Sequence, residues 1–241
     1  MAAVAAAVML SACAAPPVTK TINDPLEDEN RRVHAFNKAL DRNVLKPLVN
    51  ATGGSNSETG AVGRTVGNFA SNVDLPRMIV NDVLQANPED ATSNFMRLLI
   101  NTTFGVAGIF DPATRWGLPV RDSDFGETLH VWGAGEGIYL ELPVLGPSTS
   151  RDAAGRAVDF VLNPLSYVVP SPERAIMPIS QVAAGVSSRG EFGDTVDDIL
   201  YNSADSYSQV RLLYLQNRRF QLGQTVAEEE IDPFGLDTEG F

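Results

Sequence analysis

Three long stretches in the body of this chain carry no charge, and none is long enough to cross a bilayer. They are Leu98–Phe110, Phe160–Pro172 and Ala175–Ser188. A spanning helix needs about 18 or more apolar residues. Each stretch therefore forms either a core helix or a helix lying within a single leaflet. The pattern alone leaves both open.

The N-terminus bears on that choice. Ala2 to Leu10 is a short apolar run, followed by Ser11, Ala12 and Cys13, the only cysteine in the chain. The run suits the hydrophobic part of a signal peptide, although no Lys or Arg precedes it. Leucine three places before cysteine, with small residues between, is the pattern of a bacterial lipoprotein. The expectation is a signal peptide over 1–12, acylation of Cys13 and a tether over 13–22. Acyl chains anchor stably, because each buried CH₂ contributes ~0.8 kcal/mol. Ala14 follows the cysteine where an acidic residue would retain the protein at the inner membrane, so the outer membrane is expected. A single cysteine leaves no internal disulfide.

The formal net charge of −12 argues against nucleic acid, which needs a basic face. It also argues against adhesion to anionic lipid through a polybasic patch. The three lysines, Lys20, Lys38 and Lys46, all lie near the N-terminus. Residues 223–241 are acidic and read as a solvated, disordered tail.

Helical signals fill the body. Asp24 suits an N-cap with Pro25 at the first helical position and Glu27 three residues on. Val33, Phe36, Leu40, Val44 and Leu48 keep a helical stripe, which Pro47 and Gly53–Gly54 are expected to end. Residues 68–85 read as helix broken near Pro76. Asn87-Pro88-Glu89-Asp90 starts another helix. Gly133, Gly135 and Gly137 precede an extended stretch ending at Pro143, then Gly146. Pro143 weakens a central-strand reading, so a glycine-hinged loop is expected. Residues 203–220 read as a helix with Tyr207, Val210, Leu213 and Tyr214 inward.

Catalytic fingerprints are missing. His34 and His130 are far apart and flanked by no ligand cluster of metal spacing. There is no G-x-S-x-G elbow, and Ile138 breaks the dinucleotide-binding glycine pattern. Asp197-Asp198 reads as a solvated helix face. No enzyme, metal or cofactor is expected.

Taken together, the motifs resemble the VacJ/MlaA family of outer-membrane lipoproteins. They are Asn23-Asp24-Pro25-Leu26-Glu27, Asn30-Arg31 and Phe36-Asn37; then Phe95, Arg97 and Asn101-Thr102-Thr103 through Asp111. Phe125-Gly126-Glu127-Thr128-Leu129 through Gly133, Gly135, Gly137, Leu142-Pro143, Gly146-Pro147 and Arg151-Asp152 follows, then Tyr207 and Arg211. Asp205-Ser206 departs from the Asp-Pro that the family often has. The resemblance implies a mainly α fold: a ring-like single domain of amphipathic helices over 23–222, with a glycine-hinged loop, lying in the periplasmic leaflet of the outer membrane. It implies removal of stray phospholipid from the outer leaflet, beside a porin trimer, and delivery to a soluble periplasmic carrier. This preserves lipid asymmetry. On that reading the first helix, with His34, Phe36 and Asn37, lines or seats a channel. Gly133, Gly135, Gly137 and Gly146 belong to its gate. The alternatives are a porin-bound scaffold that moves no lipid, and a periplasmic lipid hydrolase using His130.

Overall fold

The computed structural model describes residues 22–51, 59–163, 186, 189–190 and 192–224. Cys13, the signal segment 1–12, nearly all of the tether and the acidic tail beyond 224 lie outside the described residues, as do most of Phe160–Pro172 and Ala175–Ser188.

The chain opens with α1 (Glu27–Leu40), a π-helical turn (Asp41–Leu45) and α2 (Lys46–Ala51), one after another without a break. Acidic Glu27, Asp28 and Glu29 occupy the first turn, where they complement the helix dipole. Two expectations fail here. Leu26, not Asp24, is the cap residue, and it makes no side-chain cap bond. Asp24 is drawn away by stronger donors described below. Pro47 does not end the helix. It sits second in α2, just after the π turn, where the regular bonding ladder is already disturbed.

Helices α3 (Thr59–Leu84) and α4 (Pro88–Thr103) form an antiparallel pair. The expected break at Pro76 is absent: the proline lies inside α3. The turn between them closes by Asn87 N–H on the Asp82 carbonyl at 2.9 Å, with Ala86 at φ 56°. This is a Schellman-type ending with alanine in the left-handed position. The predicted start of α4 holds, since the Asn87 side chain accepts from the Asp90 N–H. After Thr103 the first uncharged stretch leaves the helix and turns through Phe104 to Ile109. Short α5 (Pro112–Arg115) and α6 (Phe125–Val131) follow, capped by Asp111 and Asp124.

The expected loop is a hairpin. β1 (Tyr139–Leu142) pairs antiparallel with β2 (Gly146–Thr149), in register Tyr139–Thr149 to Leu142–Gly146. Pro143 falls in the connecting turn, so it costs no ladder bond. Helix α7 (Ser150–Leu162) leaves the hairpin, capped by Thr149, and packs on α6. The described residues end with α8 (Gly193–Asp197), a π turn (Asp198–Asn202) and α9 (Ser206–Gln221), the last capped by Asp205. Leu213, expected inward, is exposed; Leu215 takes the buried place beside Tyr207. Of the pair expected on a solvated face, Asp198 is exposed but Asp197 is engaged. It pairs with Lys46 at 2.6 Å and with Arg189.

The distribution of polarity is inverted. On α4 the buried face is Asn94, Arg97 and Asn101, while Phe95, Met96 and Leu99 are exposed. On α1 and its continuation Asn30, His34 and Asp41 are buried, while Phe36, Val44 and Leu48 face out. The apolar stripe read from the sequence is real, but it points away from the interior. No described helix is long and apolar enough to cross a membrane.

Candidate functional site

The interior polar groups form hydrogen-bonded networks, and the first joins α1 to the hairpin. His34 Nδ1 lies 3.2 Å from Glu141 Oε1, and its Nε2 lies 3.1 Å from Ser206 Oγ. Glu141 also accepts from the Tyr139 hydroxyl at 2.8 Å and from Asn37 Nδ2 at 3.3 Å. Asn30 acts as a strand surrogate: it donates to the Tyr139 carbonyl at 3.2 Å and accepts from the Glu141 N–H at 2.9 Å. Asn37 holds the hairpin turn, donating to the Leu142 carbonyl at 3.0 Å and accepting from the Val144 N–H at 2.8 Å. Val144, a β-branched residue, sits at φ 68°, a conformation such residues rarely adopt. Burial and the neighbouring Glu141 charge push the Tyr139 hydroxyl far above its ordinary range, so it stays a donor.

Asp24 completes this centre. Its carboxylate accepts from Asn30 Nδ2 at 2.9 Å, from the Tyr207 hydroxyl at 2.5 Å and from Arg211. Burial pushes the carboxyl up, but these three donors outweigh it and hold it below its ordinary value. Tyr139, Tyr207 and Leu215 pack as a small buried core, the two rings edge to face at 6.0 Å.

A second network lies between α3, α6, α7 and α9. Asp159 accepts from Asn81 at 2.8 Å, from Arg77 at 3.2 Å and from the Phe125 N–H at 3.0 Å. Asp152 accepts from Tyr214 at 2.6 Å and from Arg218, whose other contact is Asp124 at 2.7 Å. Burial pushes the Asp152 carboxyl up, yet the Arg218 charge and the Tyr214 hydroxyl bring it below its usual range. Burial also pushes Glu127 up, to about 7, with the Asp124 charge adding to the effect. Burial lowers His130, helped by Arg151 and Arg218.

The predicted residues divide as follows. His34 and Asn37 meet the hairpin; Phe36 is 53% exposed on the outer side. Gly133, Gly137 and Gly146 have φ of 91°, 79° and 75°. At Gly137 a side chain is also excluded by space, since a Cβ would lie 1.9 Å from Ser150 Oγ. Gly135 lies between them in the segment without regular structure before β1. Among the described residues no group of three His, Cys, Asp or Glu side chains could hold a metal ion. Sequence reasoning missed Glu141, Asn30 and Asn81 as members of the interior.

The sequence profile of the MlaA lipoproteins matches residues 22–221. The chain belongs to the MlaA family. A Haemophilus influenzae relative named intermembrane phospholipid transport system lipoprotein MlaA is 31% identical, over 96% of this chain and 94% of its own length. The Escherichia coli protein of the same name is 31% identical, over 82% of this chain and 78% of its own. A Rickettsia felis protein is 36% identical over 79% of this chain and 74% of its own. A solved structure from work on the structural basis for maintenance of bacterial outer membrane lipid asymmetry superposes with a TM-score of 0.70. It has 32% identity and covers 83% of this chain and 98% of that one. As an MlaA-family member the chain shares that helical fold.

Proposed function

We propose that this MlaA-family protein removes stray phospholipid from the outer leaflet of the outer membrane and so maintains lipid asymmetry. The observation that carries the reading is the inverted polarity. Helix faces bearing Asn30, His34, Asn94 and Arg97 are buried, while Phe36, Phe95, Phe104 and Trp116 face outward. An exterior of this kind suits acyl chains, and a polar interior lowers the cost of moving a headgroup through hydrocarbon. No redox or nucleotide chemistry is needed, since stray lipid runs downhill to an acceptor.

In its finer form, the helices form a ring in the periplasmic leaflet, anchored by acyl chains on Cys13 and held beside a porin trimer. Lipid passes to a soluble periplasmic carrier. The family domain extends from 23 to 222, and the acidic tail over 223–241 takes no part in lipid movement. His34 and Asn37 seat the channel wall, Phe36 meets acyl chains, and the segment Gly133–Gly137 with Gly146 gates the path.

Deleting the gene in its host and labelling surface-exposed phospholipid tests the function. A rise restored by the wild-type gene supports it. No change, with expression confirmed, favours a porin-bound scaffold. Cross-linking engineered cysteines at Gly135 and on α1 tests the gate; unchanged lipid movement would refute it.

A further inference from the structure

A recess of about 140 Å³, its wall part polar and part apolar, opens between α3, α4 and the turn region that follows α4. Its wall includes Asn72, Leu75, Met78, Arg97, Asp111 and Val120. Two of these carry unsatisfied polar atoms that are themselves buried in the wall. Asn72 is 7% exposed and Arg97 is 2% exposed, yet Asn72 Oδ1 and Arg97 Nε take no hydrogen-bond partner within the protein. The rest of Arg97 is fixed: it donates to Thr114 Oγ1 at 2.9 Å, to the Leu118 carbonyl and to Asp111 Oδ2 at 2.9 Å. Asn72 Nδ2 is likewise engaged, with Thr102 Oγ1 at 3.3 Å. Buried polar atoms without partners are rare in native proteins, and each calls for an explanation.

The recess asks for an occupant that accepts from a guanidinium N–H and donates to an amide oxygen. It offers about ten times the 10–15 Å³ that one water requires. The chain that follows α4 is apolar and exposed. The Phe104 and Trp116 rings lie 5.4 Å apart at a 60° tilt, 69% and 60% exposed, with Val106 and Phe110 near them in sequence, and Val120 both lines the recess and is 46% exposed. A wall that sets Arg97 and Asp111 beside Leu75, Met78 and Val120 matches an amphiphile rather than a free ion.

We infer that this recess is a binding subsite for an ethanolamine-type phospholipid headgroup. The phosphate accepts from Arg97 Nε, the ammonium donates to Asn72 Oδ1 near the Asp111 carboxylate, and the acyl chains lie along Phe104 and Trp116. The inference rests on the proposed phospholipid function and deepens it. A choline headgroup carries a phosphate but no N–H, so it forfeits the Asn72 bond. One charge-assisted hydrogen bond corresponds to an occupancy preference of about tenfold.

The test uses the full-length lipoprotein in phosphatidylcholine nanodiscs, with Trp132→Phe so that Trp116 is the sole tryptophan reporter. Brominated-chain phosphatidylethanolamine is expected to quench Trp116 well beyond an equal amount of brominated phosphatidylcholine. Asn72→Leu is expected to erase that difference, as is Val120→Phe, which crowds the opening while leaving the buried network intact. Equal quenching by both lipids, or a preference that survives both variants, overturns the inference and leaves the recess to water. Surface-exposed phospholipid measured in cells with Val120→Phe separates the two readings. Normal asymmetry with lost quenching would remove the subsite from the transport path and leave the transport reading standing.

Discussion

His34 Nδ1 and Glu141 Oε1 sit 3.2 Å apart across 107 residues of chain. That contact pins the first helix to the hairpin, and both partners are buried. Around it Asn30 and Asn37 repeat the same attachment through backbone groups. The hairpin is thus held along α1 by side chains at three successive helical turns.

Glu141→Ala leaves His34 and the Tyr139 hydroxyl without their shared acceptor. Stranding buried donors costs more than a surface bond returns, so a loss of about 3 kcal/mol is expected. Urea unfolding of the purified protein checks it. A loss under about 1 kcal/mol would mean that water replaces the carboxylate freely.

Gly137 and Gly146 share a positive φ but differ in space. A Cβ at Gly137 meets Ser150 Oγ at 1.9 Å, whereas nothing lies within 4 Å of one at Gly146. Gly146→Ala is expected to cost about 1 kcal/mol, from backbone conformation alone. Gly137→Ala adds a displaced Ser150, whose hydroxyl accepts from the Ile138 N–H at 3.2 Å, and should cost clearly more. Paired thermal melts decide; equal shifts would contradict the crowding.

Glu127 imposes a pH dependence. Its folded-state value, about 7, lies above the ordinary 4.5. The protonated form is therefore favoured by folding. Its stabilisation is complete below pH 4.5 and is lost as pH rises through about 7. Glu127→Gln should melt higher than wild type at pH 8, by about 2–4 °C for each kcal/mol recovered. His130, lowered by burial, acts with opposite sign at the acid end of this window, so the variant difference, not the raw profile, isolates Glu127. A difference that stays flat from pH 5 to 8 would remove Glu127 from the account.

Phe104 and Trp116 test the exterior. In a Cys13→Ala background, Phe104→Asp with Trp116→Asp should release protein from vesicles in flotation assays while leaving the melting temperature nearly unchanged. Both side chains are more than half exposed, so little packing is lost. Unaltered flotation would exclude this face from bilayer contact.

The start of α4 was legible because Asn87, Pro88 and Asp90 act within one turn. Asp24 was misread because its partners, Tyr207 and Arg211, arrive from 183 and 187 residues away, which no local spacing encodes. Pro143 was read correctly as unfit for a central strand, yet a two-stranded hairpin has a turn in which to place it. The amphipathic period of α1 was also legible, but periodicity reports two faces without saying which one meets solvent. The polar row Asn30, His34, Asn37 and Asp41 was the available signal: groups that can satisfy one another need not face water.

The outward placement of Phe36, Phe104, Trp116, Phe160 and Phe220 has a consequence for biogenesis. A finished copy released into an aqueous compartment would present a sticky exterior and self-associate. Transit from the site of synthesis to the bilayer therefore requires an escort that shields these rings, or arrival in a conformation that has not yet turned them out.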